Sequence, residues 1–210
     1  MRVYVDMDGV LADFDGAMES YLLDKGWETT NRVEWSLSKR IQRIDGSLNT
    51  LDEAEHVVNS IMETKGFWEG IQPIQNGTEI IKKWMKLWGK NLDIMIATSA
   101  WWTSPYSAYE KVRWIQKYIK GFPLTNIAMT FQKHILKGEI IIDDKPANIM
   151  NWEGSDAIIF TQPWNKNIPV SLNIERIIWR ADDWSVVDSI VDYLMQKNYR
   201  EKKEVVSNTV

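Results

Sequence analysis

The sequence predicts an α/β chain: a Rossmann-like, mainly parallel sheet core with a small helical cap inserted after the first strand. Three observations lead there. Short apolar runs (Val3–Val5, Leu92–Ala97, Ile140–Ile142, Ala157–Phe160) alternate with stretches of helical periodicity, the pattern of strands and helices that pack as a parallel sheet. Three of the runs stop abruptly in polar residues, at Asp6-Met7-Asp8-Gly9, Thr98-Ser99 and Asp143-Asp144. The first two runs are separated by far more chain than a right-handed crossover needs, which leaves room for an insert.

Taken in order, Arg2 to Asp6 reads as a buried central strand of alternating β-branched and aromatic residues. Gly9 supplies the tight turn out of the sheet. Phe14, Met18, Tyr21 and Leu22 share a helical face, and that helix ends near Gly26. Trp27 to Arg43 is polar and weakly periodic. Leu48 to Met62 is a second helix, with Leu51, Ala54, Val58 and Ile61 inward and Ser47 or Asn49 as N-cap. Gly66 and Pro73 punctuate the chain. Residues 15–72 thus form the cap, folded over the lip that carries Asp6, where it can exclude water and select substrate. Residues 1–14 and 73–198 form the core.

Within the core, Ile80, Ile81, Trp84, Met85 and Trp88 make an amphipathic helix closed by Gly89, and Leu92 to Ala97 is a buried strand. Tyr109 to Ile119 is a helix with Val112, Ile115 and Ile119 inward, stopped by Gly121-Phe122-Pro123. Asn126–Met129, Glu139–Ile142 and Asp156–Phe160 are strands, and Glu175–Trp179 is an edge strand. Asp183 to Gln196 is a final helix, with Val187, Ile190, Val191 and Leu194 on one face. Residues 199–210 are charged and polar and read as a flexible tail.

A chain of 210 residues accommodates one domain with an insert and a real core. Its net charge of −4 argues against polymeric nucleic acid as a partner. The absence of cysteine excludes disulfides, thiolate zinc sites and cysteine catalysis. His56 and His134 lie too far apart in sequence to suggest a histidine-rich metal site. No apolar run approaches membrane-spanning length. The first strand opens the chain where a leader would stand, so the expectation is a cytoplasmic protein with no membrane partner. The 12 tryptophans are expected to serve mostly in packing.

Asp6 and Asp8, two residues apart on an extended chain, point the same way. They lie at the carboxyl edge of a strand, where open α/β sheets bind ligands. Carboxylates this close repel unless a cation or a shared proton intervenes, and oxygen ligands of this kind suit Mg²⁺. With Thr98, Lys133, Asp143 and Asp144, the inventory fits phosphoryl transfer through an aspartyl phosphate. Asp6 attacks phosphorus. The Thr98 hydroxyl and the Lys133 ammonium stabilise charge on the equatorial oxygens. Asp143 or Asp144 completes the metal shell, the choice between them being open at this level. Asp8 protonates the leaving oxygen and then takes a proton from the hydrolytic water, a role that calls for a raised pKa.

The residues support a narrower comparison. Asp6-Met7-Asp8-Gly9-Val10-Leu11-Ala12-Asp13-Phe14, Ala97-Thr98-Ser99, Tyr109-Glu110-Lys111 with Trp114, Lys133, Ile142-Asp143-Asp144-Lys145-Pro146 and Ala181-Asp182-Asp183-Trp184 resemble the motifs of the haloacid dehalogenase-like superfamily. Within it they resemble the 5′(3′)-deoxyribonucleotidase family. The resemblance implies a HAD-like fold and Mg²⁺-dependent hydrolysis of deoxyribonucleoside 5′(3′)-monophosphates. Asp6 is then the nucleophile, and Asp8 the acid/base and a main-chain metal ligand. Thr98, Ser99 and Lys133 hold phosphate, and Phe14 and Trp35 flank the base. Homodimerisation follows by analogy. The family often has a basic residue after the Thr-Ser pair. Here Ala100-Trp101-Trp102-Thr103 is uncharged, and an indole pair lining the nucleotide pocket is the expectation in its place. The alternatives are a phosphatase or phosphotransferase for another small phosphomonoester, or a catalytically silent nucleotide-binding module. Retention of every chemical group argues against the last.

Overall fold

The computed structural model describes residues 1–172 and 176–207. In chain order the elements are β1 (Arg2–Val5), α1 (Phe14–Asp24), β2 (Trp27–Thr29), β3 (Ile41–Arg43), α2 (Leu51–Met62), α3 (Phe67–Gly70), α4 (Gly77–Trp88), β4 (Asp93–Thr98), α5 (Ser107–Tyr118), β5 (Ile127–Met129), β6 (Ile140–Asp143), α6 (Pro146–Met150), β7 (Asp156–Phe160), β8 (Ser171–Leu172), β9 (Ile177–Ala181) and α7 (Trp184–Ser207). The apolar runs pair into one sheet, in the order β5-β4-β1-β6-β7-β9-β8. Every pairing is parallel except that of the short β8 with β9.

The chain steps outward from β1 to β4 and β5, then crosses back to build β6, β7 and β9 on the other side. That reversal makes the carboxyl end of β1 the switch point, where open sheets leave a crevice. Register does the rest. Val5 stands level with Ile96 on one side and Ile142 on the other, so one step further along place Asp6, Ala97 and Asp143 side by side.

Alternation along the strands sorts side chains onto two faces. Val3, Val5, Ile94, Ile96, Ile140 and Ile142 join the larger core with Trp84 of α4, Trp114 and Ile115 of α5, and Trp184 and Val187 of α7. Tyr4, Ala97, Ile141, Ala157 and Ile159 pack on the opposite face with Ile149 of α6 and Trp152. Several buried tryptophans also hold loops through their indole N–H. Trp184 Nε1 donates to the Val10 carbonyl at 2.8 Å, Trp114 Nε1 to Ile71 at 2.7 Å and Trp68 Nε1 to Met62 at 2.8 Å, so each satisfies its polar tip while filling core volume.

The cap carries α1, α2 and α3 and also a small antiparallel pair, β2 with β3, hidden in the polar 27–43 segment. Three-residue strands offer no readable period, but Trp27 and Ile41 bury one side of the pair. The N-cap of α2 is Thr50, not Ser47 or Asn49. Its hydroxyl accepts from Glu53 N while the Glu53 carboxylate accepts from Thr50 N, a reciprocal box that outcompetes an upstream cap. Leu51 consequently sits in the exposed first turn, with Ala54, Val57, Val58 and Ile61 inward. The cap is strapped to the loop after β1 by Asp13 N to Gln72 O and Ile74 N to Leu11 O, both 2.8 Å. From α5, buried Glu110 accepts from Gly66 N at 2.6 Å and Trp68 N at 3.1 Å, pinning the stem of the cap.

Two more expectations shift. The 175–179 segment, whose Glu175 lies outside the described residues, contributes β9, an interior strand between β7 and β8. The last helix continues to Ser207, into the segment read as a tail, because its Lys- and Glu-rich sequence is a strong helix former. No helix among the described residues is long and apolar enough to cross a membrane.

Candidate active site

Asp6 leaves the sheet with its N–H still bonded to Ile142 O at 2.9 Å, and its carboxylate accepts from Met7 N at 2.7 Å. The chain turns at Gly9, where φ is +73° and an added Cβ would lie 2.6 Å from Asp144 Oδ2. Glycine is therefore required both for the left-handed backbone and for the close approach. Asp13 then caps α1, accepting from Gly16 N at 3.0 Å.

Lys133 lies buried in a single 3₁₀ turn before β6. Its Nζ is 2.7 Å from Asp6 Oδ1 and 2.7 Å from Asp143 Oδ2. Asp143 also accepts from Asn148 Nδ2 at 3.1 and 3.0 Å and from Lys145 N at 2.8 Å. Asp144 instead lines the open cavity. Asp6, Asp143 and Asp144 each bring a carboxylate oxygen within 4.8 Å of the others. Burial pulls the Lys133 ammonium down, but Asp143 and Asp6 together outweigh it, and the net shift is upward. At Asp143 burial wins over Lys133 and pushes the carboxyl up to about 6. Burial, then the charges of Asp143 and Asp6, push Asp144 well above the ordinary range. Three carboxylates facing one ammonium leave a surplus of buried negative charge, which is what an oxygen-ligated divalent cation neutralises.

A second ion pair stands beside the first. Lys111 of α5 is wholly buried. Its Nζ donates to Asp8 Oδ2 and, at 3.0 Å, to Thr98 Oγ1, and lies over the Trp68 ring at 4.5 Å. Asp8 keeps 27% of its side-chain surface open. Its setting deep in the site nonetheless raises its pKa by burial; Lys111 pulls it back and Asp6 pushes it further up. Asp8 Oδ1 has no protein partner. A carboxyl disposed to keep its proton, with one oxygen free, is suited to general acid work.

These groups form the floor of a cavity of about 550 Å³ roofed by the cap. Of the residues singled out from sequence, Asp6, Asp8, Phe14, Trp35, Ser99, Lys133 and Asp144 line it. Thr98 and Asp143 are fully buried and stand behind the wall, holding Lys111 and Lys133. Phe14 stacks on Trp68, with centroids 5.6 Å apart and planes at 20°. Half-exposed Trp35 meets Trp164 nearly at right angles, 5.4 Å away. The expected indole pair divides. Trp101 lines the cavity, whereas Trp102 turns out, 82% exposed, and stacks on Phe131 at 5.1 Å.

The sequence alone assigns no role to Lys111, Trp68, Trp164 or Arg40. Lys111 carried a signal. It sits three and four residues before Trp114 and Ile115, hence on the inward face of its helix, and an inward lysine needs a buried counter-charge. The other three come from short or irregular segments with no such signal.

The sheet order, the cap after the first strand and the carboxylates at the switch point define the haloacid dehalogenase-like fold. Two solved structures share it, each with a TM-score of 0.52, 13% identity and alignments covering 90% of this chain and 97% of theirs. They are the HAD-hydrolase YfnB from Bacillus subtilis, described as bound to magnesium, and the haloacid dehalogenase-like protein SP0104 from Streptococcus pneumoniae. The model of the family described as "5' nucleotidase, deoxy (Pyrimidine), cytosolic type C protein" matches residues 1–199, and the chain belongs to that family. Among its relatives, the mitochondrial 5′(3′)-deoxyribonucleotidase of Homo sapiens is 29% identical over 197 residues, 89% of this chain and 82% of the relative. The human cytosolic-type enzyme is 26% identical over 195 residues, 90% and 94% of the two chains, and the Bacillus subtilis (strain 168) 5′(3′)-deoxyribonucleotidase is 24% identical over 168 residues, 79% and 87%.

Proposed function

We propose that this chain hydrolyses deoxyribonucleoside 5′(3′)-monophosphates to nucleoside and phosphate, using Asp6 as nucleophile. The observation that carries the reading is the cavity itself. One wall presents Asp6, Asp8, Lys133 and Asp144, and facing it stand Phe14 at the start of α1 and Trp35 and Trp68 of the cap. A phosphate needs the first wall and a flat base suits the second. The family membership and the names of its relatives point the same way.

The surplus buried charge fits Mg²⁺, with the Asp6 and Asp144 carboxylates and the Asp8 main chain as ligands. Asp143 is already committed to Lys133, Asn148 and Lys145 N. The ion would offset repulsion between the anionic nucleophile and the phosphate and orient both. The chain's own groups do the rest. Asp6 attacks phosphorus as the ester P–O bond breaks, and Asp8 gives its proton to the leaving oxygen. Asp8 then takes a proton from a water that attacks the phosphorus and frees Asp6. Ser99 and Lys133, which line the cavity, hold the equatorial oxygens, and buried Lys111, held by Thr98, orients Asp8 from behind.

The test is a panel of deoxy- and ribonucleoside 5′- and 3′-monophosphates assayed with and without Mg²⁺, alongside Asp6→Asn. Mg²⁺-dependent turnover of deoxynucleotides is expected, with Asp6→Asn inactive but still binding nucleotide. An Asp6→Asn protein as fast as the parent refutes the nucleophile assignment. A parent that prefers a base-free phosphomonoester refutes the nucleotidase reading.

A further inference from the structure

We propose that Trp164 is the core-side wall of the nucleobase subsite, and that its turn holds that wall in register with the nucleophile. The inference rests on the nucleotidase reading and adds a residue from outside the catalytic motifs and outside the cap. Trp164 occupies a single 3₁₀ turn, Pro163–Asn165, just after β7. The turn is tightly specified. Proline opens it, and Gln162 N donates to the Asn165 side-chain oxygen at 3.0 Å. Asn165 is fully buried and its Nδ2 donates to the carbonyls of Asp144 and Phe160, both at 2.8 Å. Gln162 Nε2 donates to the Gly9 carbonyl at 2.7 Å.

The turn is therefore bonded to both loops that deliver carboxylates, the one after β1 and the one after β6. An indole carried on it keeps its distance from Asp6 and Asp144 unless those bonds break. That rigidity is useful to a substrate with a fixed separation between base and phosphate, because less ordering remains to be done on binding. The ring faces the right space. It is partly exposed, lines the cavity, and stands at 80° to Trp35, so that two indoles from core and cap form a corner. A planar base stacked on one ring of such a corner presents its edge to the other, the two favoured aromatic geometries at once. Arg40 of the cap lies over the same ring at 5.2 Å and is itself held by Asp15, which keeps the corner closed. The Trp164 Nε1–H is buried without a protein partner, unlike those of Trp84, Trp114 and Trp184. Of the three parts of the substrate, the planar base offers an indole the widest stacking face, so the ring is assigned to the base.

The experiment compares kcat/KM for deoxythymidine and deoxyguanosine 5′-monophosphates with that for 2-deoxyribose 5-phosphate, which lacks a base. For Trp164→Leu, which keeps apolar volume and removes the aromatic face, the nucleotide-to-sugar ratio is expected to fall about tenfold, through KM rather than kcat. Trp164→Phe is expected to hold the ratio within about threefold of the parent. A ratio unchanged in Trp164→Leu overturns the proposal, whether both substrates are unaffected or both are lost in parallel. A parent enzyme that does not prefer either nucleotide to the bare sugar phosphate overturns the nucleotidase reading as well.

Discussion

Mg²⁺ should stabilise the protein more at neutral than at acidic pH, and the buried carboxylates set the size of the difference. Asp143 is pushed from 3.8 to about 6 in the folded chain. A carboxyl raised by folding binds its proton longer in the native than in the unfolded state, so its ionisation works against the fold. Below about pH 4 both states are protonated and nothing is lost. Between pH 4 and 6 the penalty grows, and above 6 it is complete. At about 1.4 kcal/mol per pKa unit, Asp143 alone costs the metal-free protein roughly 3 kcal/mol at neutral pH. For a domain of this size that is about 6–12 °C in Tm. Asp144 is shifted in the same direction and adds to it. A cation that binds only the ionised, folded cluster reverses the loss. Thermal melts in chelator and in excess Mg²⁺, at pH 5 and pH 7.5, should show a Tm gain several degrees larger at the higher pH. Asp144→Asn removes a carboxyl that burial and the neighbouring charges hold back from ionising. Without metal at pH 7.5 it should melt above the parent, and its Mg²⁺ response should be blunted. An equal Mg²⁺ gain at both pH values, or a metal-free Asp144→Asn that melts below the parent, refutes the charge argument.

Two further outcomes follow from buried pairs. Lys111→Met should cut kcat/KM at least about a hundredfold, and it should move the alkaline limb of the pH–rate profile upward, because Lys111 is what pulls the raised Asp8 carboxyl back down. A limb that stays in place would mean that Asp8 is not the group titrating there. Glu110→Ala strips the acceptor from Gly66 N and Trp68 N. It should destabilise the protein by about 3 kcal/mol in urea unfolding, with Glu110→Gln losing about half as much; a change under about 0.5 kcal/mol would show that the stem of the cap does not depend on it.

Local chemistry in the sequence was enough to mark where the strands end. Val3–Val5 and Ile140–Ile142 could only be buried strands, and a strand that stops in Asp-Met-Asp-Gly or Asp-Asp leaves its carboxylates at one edge of a parallel sheet. The placement of Asp6, Asp8, Ser99 and Asp144 at the cavity was legible for that reason; Lys133 precedes its strand and was marked only by its place in the motif set. The long stretch between the first two strands needs only a count of residues. Elements of three residues were not legible. The pair of β2 with β3 exists because Trp27 and Ile41 find a common buried side across the intervening chain, and a window of three cannot show a period.

The sequence by itself determined which residue types arrive at the rim, and tertiary structure decided what each does there. Asp143 and Asp144 are chemically identical neighbours. One is enclosed by Lys133 and Asn148 and the other opens to the cavity, because adjacent residues leaving a strand face opposite ways. Thr98 stands behind the wall and Lys111 reaches Asp8 from a helix 103 positions away in the chain. Trp102 turns outward while Trp164 turns in. Burial, partnership and the resulting pKa are properties of the space between elements. That space is set by how strands register and helices pack, and no stretch of chain short enough to read in sequence contains both sides of it.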